Sequence, residues 1–521
     1  MPPKQENGPI RLAELIAALS IATDLGMGQP MEYALCSCVL AVRLGEKLGL
    51  SEEELYEVYY QALLRYIGCN VETHTLAALM GDEIAIRQEF ATIDTADTRA
   101  IVSLGVRYIR QAHGGRSKLH LARMLVQSLW TLSDTMQQSF AGHCEVAQRL
   151  AERMGFSGNV IIALGQLYER WDGKGLPGGL KGEEIATAVL VVTLAHDMVI
   201  FHRLEGVEAA IAVARKRKNT TYAPWMADCF CQHAPQLMAG LETEPSWEMV
   251  LALEPGPRPT LAAEQFDAAC QAMADFVDIK TPYTMSHSHR VADLAAEAAR
   301  RSGLPEVDVN DIRRAGWLHD IGRTGVSAGI WMKQGTLIEK EWEQVRLHPY
   351  YTERILARPP ALARLGAIAA MHHEKLDGSG YHRGLPAEMQ PPAARILAAA
   401  NTYQTKTEGR PHRPPLSPDE AAIELKRQVR QGQLDGEVVN HVLAAAGHRV
   451  PPVRRELVAG LSERQIEVLR LLTRGLTIKQ MAEELMVSPK TVDNHIQHIY
   501  NKIGVSTRAG ATLFAVEQNL L

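Results

Sequence analysis

The sequence has no Cys-x-x-Cys pair, no long uninterrupted apolar run, no apolar core near its start and no excess of positive charge. Each absence removes a class of function. The seven cysteines come closest at Cys36/Cys38 and Cys229/Cys231, too tight for a zinc knuckle, so they read as reduced cytosolic thiols. The longest apolar run, "IATAVLVVTLA" at 185–195, is well short of the ~20 residues of a membrane span. The opening "MPPKQENGPI" is polar and offers no signal-peptide core. A cytoplasmic chain with no membrane partner is the expectation. With 55 Lys and Arg against 60 Asp and Glu, the net charge is −5, so any nucleic-acid surface must be local.

What is present is globular. Apolar residues make up 46% and charged residues 22%. At about 100–200 residues per domain, the 521 residues suggest roughly three domains. "LAELIAALSIATDL" and "LAAEQFDAACQAMADFV" carry apolar residues at helical spacing, and strand signals are few, so the predicted fold class is all-α. Pro-rich breaks at 254–260 and 448–457 divide the chain into expected domains 1–253, 261–447 and 456–521.

The two large pieces repeat each other. Leu50 precedes Arg65 by 15 residues, as Leu304 precedes His319. "ERWDGKGLPGGLKGEEI" (169–185) matches "EKLDGSGYHRGLPAEMQ" (374–390) at an offset of 205, and the first copy holds about 49 extra residues between these landmarks. A repeat this long means duplicated domains.

In the second copy, polar residues interrupt apolar helices. They are His287 in "SHSHRV", the pair His319 and Asp320 in "AGWLHDIGRTG", His348 in "LHPYY", and His372 with His373 in "MHHEKLDG". Neighbours on a helix point about 100° apart, so an adjacent pair can reach two ions or one member can bridge them. Five imidazoles and a carboxylate suit Fe, Mn, Zn or Ni better than Mg or Ca.

These motifs, with "HDIGR" (319–323), "HHE" (372–374), "DGSGYH" (377–382) and "AARILAAANTYQTKTEGRPHR" (393–413), make residues 262–445 resemble an HD-GYP domain. That family is the subgroup of HD metal phosphohydrolases associated with cyclic di-GMP. The resemblance implies one ion on His287, His319, Asp320 and position 401, and a second on Asp320, His348, His372 and His373. It implies two ions that acidify a shared water for in-line attack on phosphorus, with Asp320 and Arg323 catalytic. Arg323 stands where the family usually has Lys. Arg323, Tyr381, Arg410 and Arg413 are the implied ligand-binding residues, the arginines suited to bidentate phosphate contacts.

The pattern also departs from the family. The last ligand position is Asn401, whose amide brings no charge, and a further family Asp appears as Gln404. The GYP signature reads Gly380-Tyr381-His382. One turn before His287, where three-metal members carry Glu, stands Tyr283, which implies two ions at most.

In the first copy Tyr33 stands for His287, Arg65-Tyr66 for the His-Asp pair and Leu167-Tyr168 for the paired histidines, while His143 and His196 survive. "HD" at 196–197 falls at the position of Asn401, not of His319. Two isolated ligands cannot hold an ion tightly. No metal is expected in 1–253, which reads as a sensor, a dimerisation surface or a brace.

The last segment is helical again. Helices are predicted over Glu463–Thr473 and Ile478–Leu485, then from Ser488 as N-cap with Pro489 at the first position, then from about Thr507 to Gln518. Val492, Ile496, Ile499 and Ile503 form a buried stripe, leaving Lys490, Thr491, Asn494, Gln497, His498 and Lys502 facing out, together with Asp493. Two short helices with a tight turn make a helix-turn-helix. "SPKTVDNHIQHIYNKIGVSTRA" resembles the LuxR-type DNA-binding domain. The resemblance implies double-stranded DNA as partner, with Lys490 and Lys502 on phosphates, Asn494 or its neighbours at base edges, Thr491 and His498 also among the DNA-binding residues, and a homodimer.

The combined reading is a DNA-binding transcription regulator that senses a metal or a phosphorylated ligand, a cyclic dinucleotide among the candidates. The competing reading is an active metal-dependent cyclic di-GMP phosphodiesterase whose DNA-binding module localises or regulates it.

Overall fold

Helices follow one another with short turns, as the periodicity requires, and the strands among the described residues are two residues long. The computed structural model describes residues 10–241, 243, 246–450, 458–518 and 520. The fold is all-α. It divides into two compact units, residues 1–448 and 449–521. Most of the Pro-rich break at 448–457 (from 451 on) lies outside the described residues, as does the N-terminal stretch 1–9.

The first half contains α1 (Leu12–Gly26), α2 (Tyr33–Leu48), α3 (Glu52–Leu64), α4 (Thr73–Met80), α5 (Glu83–Phe90), α6 (Thr98–His113), α7 (Lys118–Arg153), α8 (Asn159–Leu164), α9 (Thr187–Glu205), α10 (Val207–Arg217), α11 (Pro224–Leu237) and α12 (Ser246–Ala252). Helices α2, α3 and α9 pack together as its centre. By length and composition α9 could cross a membrane, but 67% of it is buried inside the fold. It is longer than the apolar run alone suggests because His196, Asp197 and the residues after them continue the helix.

The second half contains α13 (Ala263–Asp278), α14 (His287–Arg301), α15 (Glu306–Leu318), α16 (Ala328–Trp331), α17 (Glu339–Arg346), α18 (His348–Leu356), α19 (Pro360–Ala369), α20 (Pro392–Thr407), α21 (Pro418–Arg430) and α22 (Gly436–Ala445). Helix α14 packs against α15, α20 and α22. A short antiparallel pair, β1 (Ile10–Arg11) with β2 (Thr260–Leu261), ties the start of one half to the start of the other.

The duplication extends to single hydrogen bonds. Asp24 accepts from the Ala34 N–H at 3.1 Å, and Asp278 accepts from the Ser288 N–H at 2.9 Å. Each acid satisfies an orphan donor at the start of the helix that opens with Tyr33 or His287. The preceding residues, Glu32 and Ser286, both adopt left-handed backbone, with φ of 71° and 59°. Glycine is required where the turn after His319-Asp320, and after Arg65-Tyr66 in the first copy, meets the next helix. A Cβ on Gly322 would lie 2.1 Å from the His348 carbonyl oxygen, and one on Gly68 would lie 1.9 Å from that of His143.

A buried polar joint connects the halves. Glu83, at the start of α5, accepts from Ser327 Oγ at 2.6 Å and from the Ala328 N–H at 2.8 Å. Lys280 Nζ stands 3.5 Å from the same carboxylate and donates to the Thr324 carbonyl at 2.7 Å. Both side chains are enclosed, and burial pulls the Lys280 ammonium down to about 8.

The second unit contains α23 (Glu463–Thr473), α24 (Ile478–Glu484), α25 (Pro489–Ile503) and α26 (Arg508–Glu517). Its core gathers Leu469, Leu472, Met481, Val492, Ile496 and Ile499.

Candidate metal centre and nucleic-acid interface

Five imidazoles converge around Asp320, which sits just past the end of α15. Its Oδ2 lies 3.7 Å from His287 Nε2 and 3.6 Å from His319 Nε2. Its Oδ1 lies 3.5 Å from His348 Nε2 and 3.4 Å from His372 Nε2. One carboxylate therefore faces two sets of imidazoles. The donors divide into His287, His319 and Asp320, and His348, His372 and His373; within each set the ligand atoms lie within 4.8 Å of one another.

The outer ring nitrogens show why these histidines aim inward. His319, His348 and His372 each place Nδ1 on the carbonyl three residues back, Gly316 at 2.7 Å, Val345 at 2.6 Å and Ala369 at 2.7 Å. His287 places Nδ1 on Glu408 Oε2 at 2.7 Å. A carbonyl only accepts, so the Nδ1 atoms of His319, His348 and His372 carry the hydrogen, and Nε2 is the ring atom left facing inward. His348 and His372 turn their Nε2 atoms toward each other, 3.0 Å apart. His319 Nε2 is buried without a hydrogen-bond partner. Burial holds His319 down at about 3, and burial with the neighbouring imidazoles holds His348 and His373 well below the usual range. Burial pushes the Asp320 carboxyl up, but His319 and Arg323 outweigh it and keep it ionised. Histidines held neutral beside a carboxylate, as His319, His348 and His373 are, are the form that divalent metals bind, and the inward-facing Nε2 atoms fit a cation.

The remaining predicted residues divide. Arg323 donates to Asp320 Oδ2 at 2.8 Å and lies 4.0 Å over the Trp331 ring. Tyr381 stacks on His373, with ring centroids 4.6 Å apart. Arg410 donates to the Tyr283 carbonyl at 2.5 Å and to Glu408 at 3.1 Å. Arg413 is turned to main-chain carbonyls, among them Lys406 at 3.1 Å and Glu408 at 3.2 Å, so its guanidinium clamps the loop. Asn401 is buried on α20 and its amide oxygen accepts from Thr405 at 3.2 Å.

Three residues were not singled out from sequence. Glu408 holds His287 and also pairs with Arg290 at 2.6 Å. Trp331 carries Arg323 on its face and meets His348 edge-on. Glu374, inside the "HHE" stretch, accepts from the Arg383 and Leu385 N–H groups at 2.9 Å and so fixes the loop that bears Tyr381. The signal for Glu374 was the repeat, because Glu169 accepts from Gly178 and Leu180 in the same way.

The first half's centre is filled differently. Tyr66 and His196 share a 2.5 Å hydrogen bond, Tyr33 donates to the His196 carbonyl at 2.6 Å, and Asp197 is held by Arg217 at 3.0 Å and Tyr222 at 2.6 Å. Arg65 occupies the place of His319.

In the second unit, Ser488 caps α25 by accepting from the Thr491 N–H at 3.1 Å. Val492, Ile496 and Ile499 are buried, and Lys490, Thr491, Asp493, Asn494, Gln497 and His498 are exposed on the other face. The Thr491 hydroxyl also meets Ser488 Oγ at 2.7 Å. Lys502 points back into its own unit, donating to the Gly460 carbonyl at 2.6 Å and to Gln465 at 2.9 Å.

The HD domain family model matches residues 121–213 and 271–438, and the model for bacterial regulatory proteins of the luxR family matches residues 459–515. The chain is 29% identical over 414 residues to 3′3′-cGAMP-specific phosphodiesterase 3 of Vibrio cholerae, covering 79% of this chain and 89% of that one. It is 38% identical over 145 residues to a cyclic di-GMP phosphodiesterase of Thermotoga maritima, covering 27% of this chain and 39% of that one. Among solved structures, a cyclic GMP-AMP-specific phosphodiesterase from Vibrio cholerae superposes with a TM-score of 0.60 at 27% identity, over 85% of this chain and 99% of that one.

Proposed function

The chain belongs to the HD domain family, and on that premise we propose that it is a metal-dependent phosphodiesterase of 3′3′-linked cyclic dinucleotides that also binds DNA. The observation that carries this reading is the convergence of five imidazoles on Asp320, four of them anchored so that Nε2 faces inward. His287, His319 and Asp320, with Asn401 as the fourth donor the resemblance implies, would hold one divalent ion, and Asp320, His348, His372 and His373 a second. Such ions supply Lewis acidity toward a phosphoryl group and acidify water. Around them the chain's own residues orient and neutralise. Glu408 and the three carbonyls fix the rings. Arg323, held flat by Trp331, and Arg410 put positive charge beside the centre for a phosphate. Tyr381 holds the His373 ring. The working divisions are 261–447 for the chemistry, 456–521 for DNA and 1–253 for control.

The test is hydrolysis of 3′3′-cGAMP and cyclic di-GMP by purified protein with added Mn or Fe. Turnover of either supports the enzyme. Stoichiometric binding without turnover supports a second reading, a ligand-sensing regulator, which the uncharged Asn401 favours. Asn401→Asp separates the two readings further. Restoring the acid is expected to tighten the ion on the His287 side by about tenfold, ~1.4 kcal/mol. Competition with a chelating dye measures it, and unchanged affinity removes Asn401 from the ligand set.

In the DNA module, α25 is proposed to enter the major groove, with Lys490 on phosphate and Asn494 and His498 toward base edges. Lys490→Ala is expected to weaken binding on all sequences and reduce the salt slope by about 1. Asn494→Ala is expected to lower the preference for the operator by about 1–3 kcal/mol instead. Fluorescence anisotropy over a salt series distinguishes them; equal effects on operator and random duplex contradict the assignment of Asn494.

Paired half-sites require paired copies. Leu119, Val126 and Trp130 lie on one face of α7 and are 83%, 66% and 89% exposed. We place the dimer contact there. Trp130→Glu is expected to convert dimer to monomer in sedimentation equilibrium, and an unchanged mass contradicts that placement.

A further inference from the structure

The extra residues of the first copy lie between Arg65 and His143, and they wall a cavity of about 390 Å³. Its volume falls within the range of small-molecule sites, about 300–1,000 Å³. Leu76 and Met80 of α4, Phe90 of α5, Leu104 of α6 and Leu132 and Met136 of α7 line it. Arg65 of the altered centre and Thr221 also line it.

Arg65 is the informative group. It is buried, and its Nη1 donates to the Leu167 carbonyl at 3.2 Å and to Thr193 Oγ1 at 3.3 Å. Its Nε has no hydrogen-bond partner, and neither does the buried Thr221 hydroxyl. Of the three other arginines on the wall, Arg170 pairs with Asp94 at 2.6 Å and Arg217 with Asp197 at 3.0 Å, while Arg87 donates to the Gly26 carbonyl and the Thr73 hydroxyl, both at 3.0 Å. Arg65 makes no ion pair among the described residues. A buried guanidinium with an idle Nε edge is suited to a carboxylate accepted side-on. An unmet buried donor is also unfavourable, more so when charged, until an acceptor arrives.

From this geometry we infer that the first half binds an anionic amphiphile, an apolar chain ending in one carboxylate, with the head on Arg65 and the tail among the helices α4 to α7. The loss of the metal ligands in this copy then has a consequence. Where the second half has His319 for a cation, the first has Arg65 for an anion. The walls also reach the other half, since α5 begins with Glu83, which holds Ser327 and Ala328 next to Trp331.

The experiment is calorimetric titration of the full chain with sodium decanoate, and with decanol as a neutral chain of equal length. Decanoate is expected to bind one per chain and decanol at least about tenfold more weakly. Arg65→Gln is expected to remove that preference, leaving decanol within about twofold of its original affinity. Leu132→Trp, which fills the cavity from the wall, is expected to abolish both; it also serves if Arg65→Gln does not fold. Absence of saturable decanoate binding, equal affinity for the two chains, or decanoate binding unchanged in Leu132→Trp overturns the inference.

Discussion

Asp320→Asn is expected to lower cyclic-dinucleotide turnover by about 10³-fold or more, ~4 kcal/mol of barrier. The substitution keeps size and shape and removes the charge that all the imidazoles face. Oδ1 stands opposite His348 and His372, and Oδ2 opposite His287 and His319, at 3.4–3.7 Å. An amide must turn an N–H toward one of these sets of lone pairs, so at least one ion site loses a donor. Arg323 loses its charged partner at 2.8 Å as well. The check is kcat with Mn or Fe added, alongside metal content of the same preparation. Turnover within about tenfold of the natural chain contradicts a bridging role for Asp320.

The second large effect is on stability. Glu83→Ala is expected to destabilise the first unit by about 3–5 kcal/mol, because it strands a buried ammonium. Lys280 retains only the Thr324 carbonyl, while Ser327 Oγ and the Ala328 N–H lose their acceptor. The pH dependence follows from Lys280. Its folded pKa is already lowered to about 8 by burial, against about 10.4 unfolded. Without Glu83 it falls further. Between that lower value and about 8, the natural folded chain keeps the proton and the variant does not. The variant therefore gains stability with rising pH relative to the natural chain. The ionic part of its deficit is largest at low pH and gone above about 8. Calorimetric melting from pH 6 to 9 measures it. A deficit under about 1 kcal/mol, or one that grows with pH, contradicts the pairing.

Much of the centre was legible because imidazoles are expensive inside apolar helices. His287, His319, His348, His372 and His373 each interrupted such a pattern, and the structure brings them together. Direction was not legible for long side chains. Arg413 and Lys502 carry the charge a phosphate needs, yet one turns to loop carbonyls and the other to Gly460 and Gln465. Glu408 was hidden for the opposite reason. A single acid in a polar stretch carries no periodic signal until the fold sets it against His287. The Glu83–Lys280 joint depends on two halves meeting, and the repeat gives no pairing between copies. The first half's loss of ligands was visible as Tyr33, Arg65 and Tyr168, but the cavity beside them was not, because helical spacing describes one face of a helix and not the gap between four.

The most direct test is anomalous X-ray scattering from crystals of the full chain reconstituted with Mn or Fe. Two ions are predicted, on opposite oxygens of Asp320, with His287 and His319 on one and His348, His372 and His373 on the other, and none at Arg65 or His196. Density for no ion between these side chains, or for an ion bound without Asp320, would contradict the account.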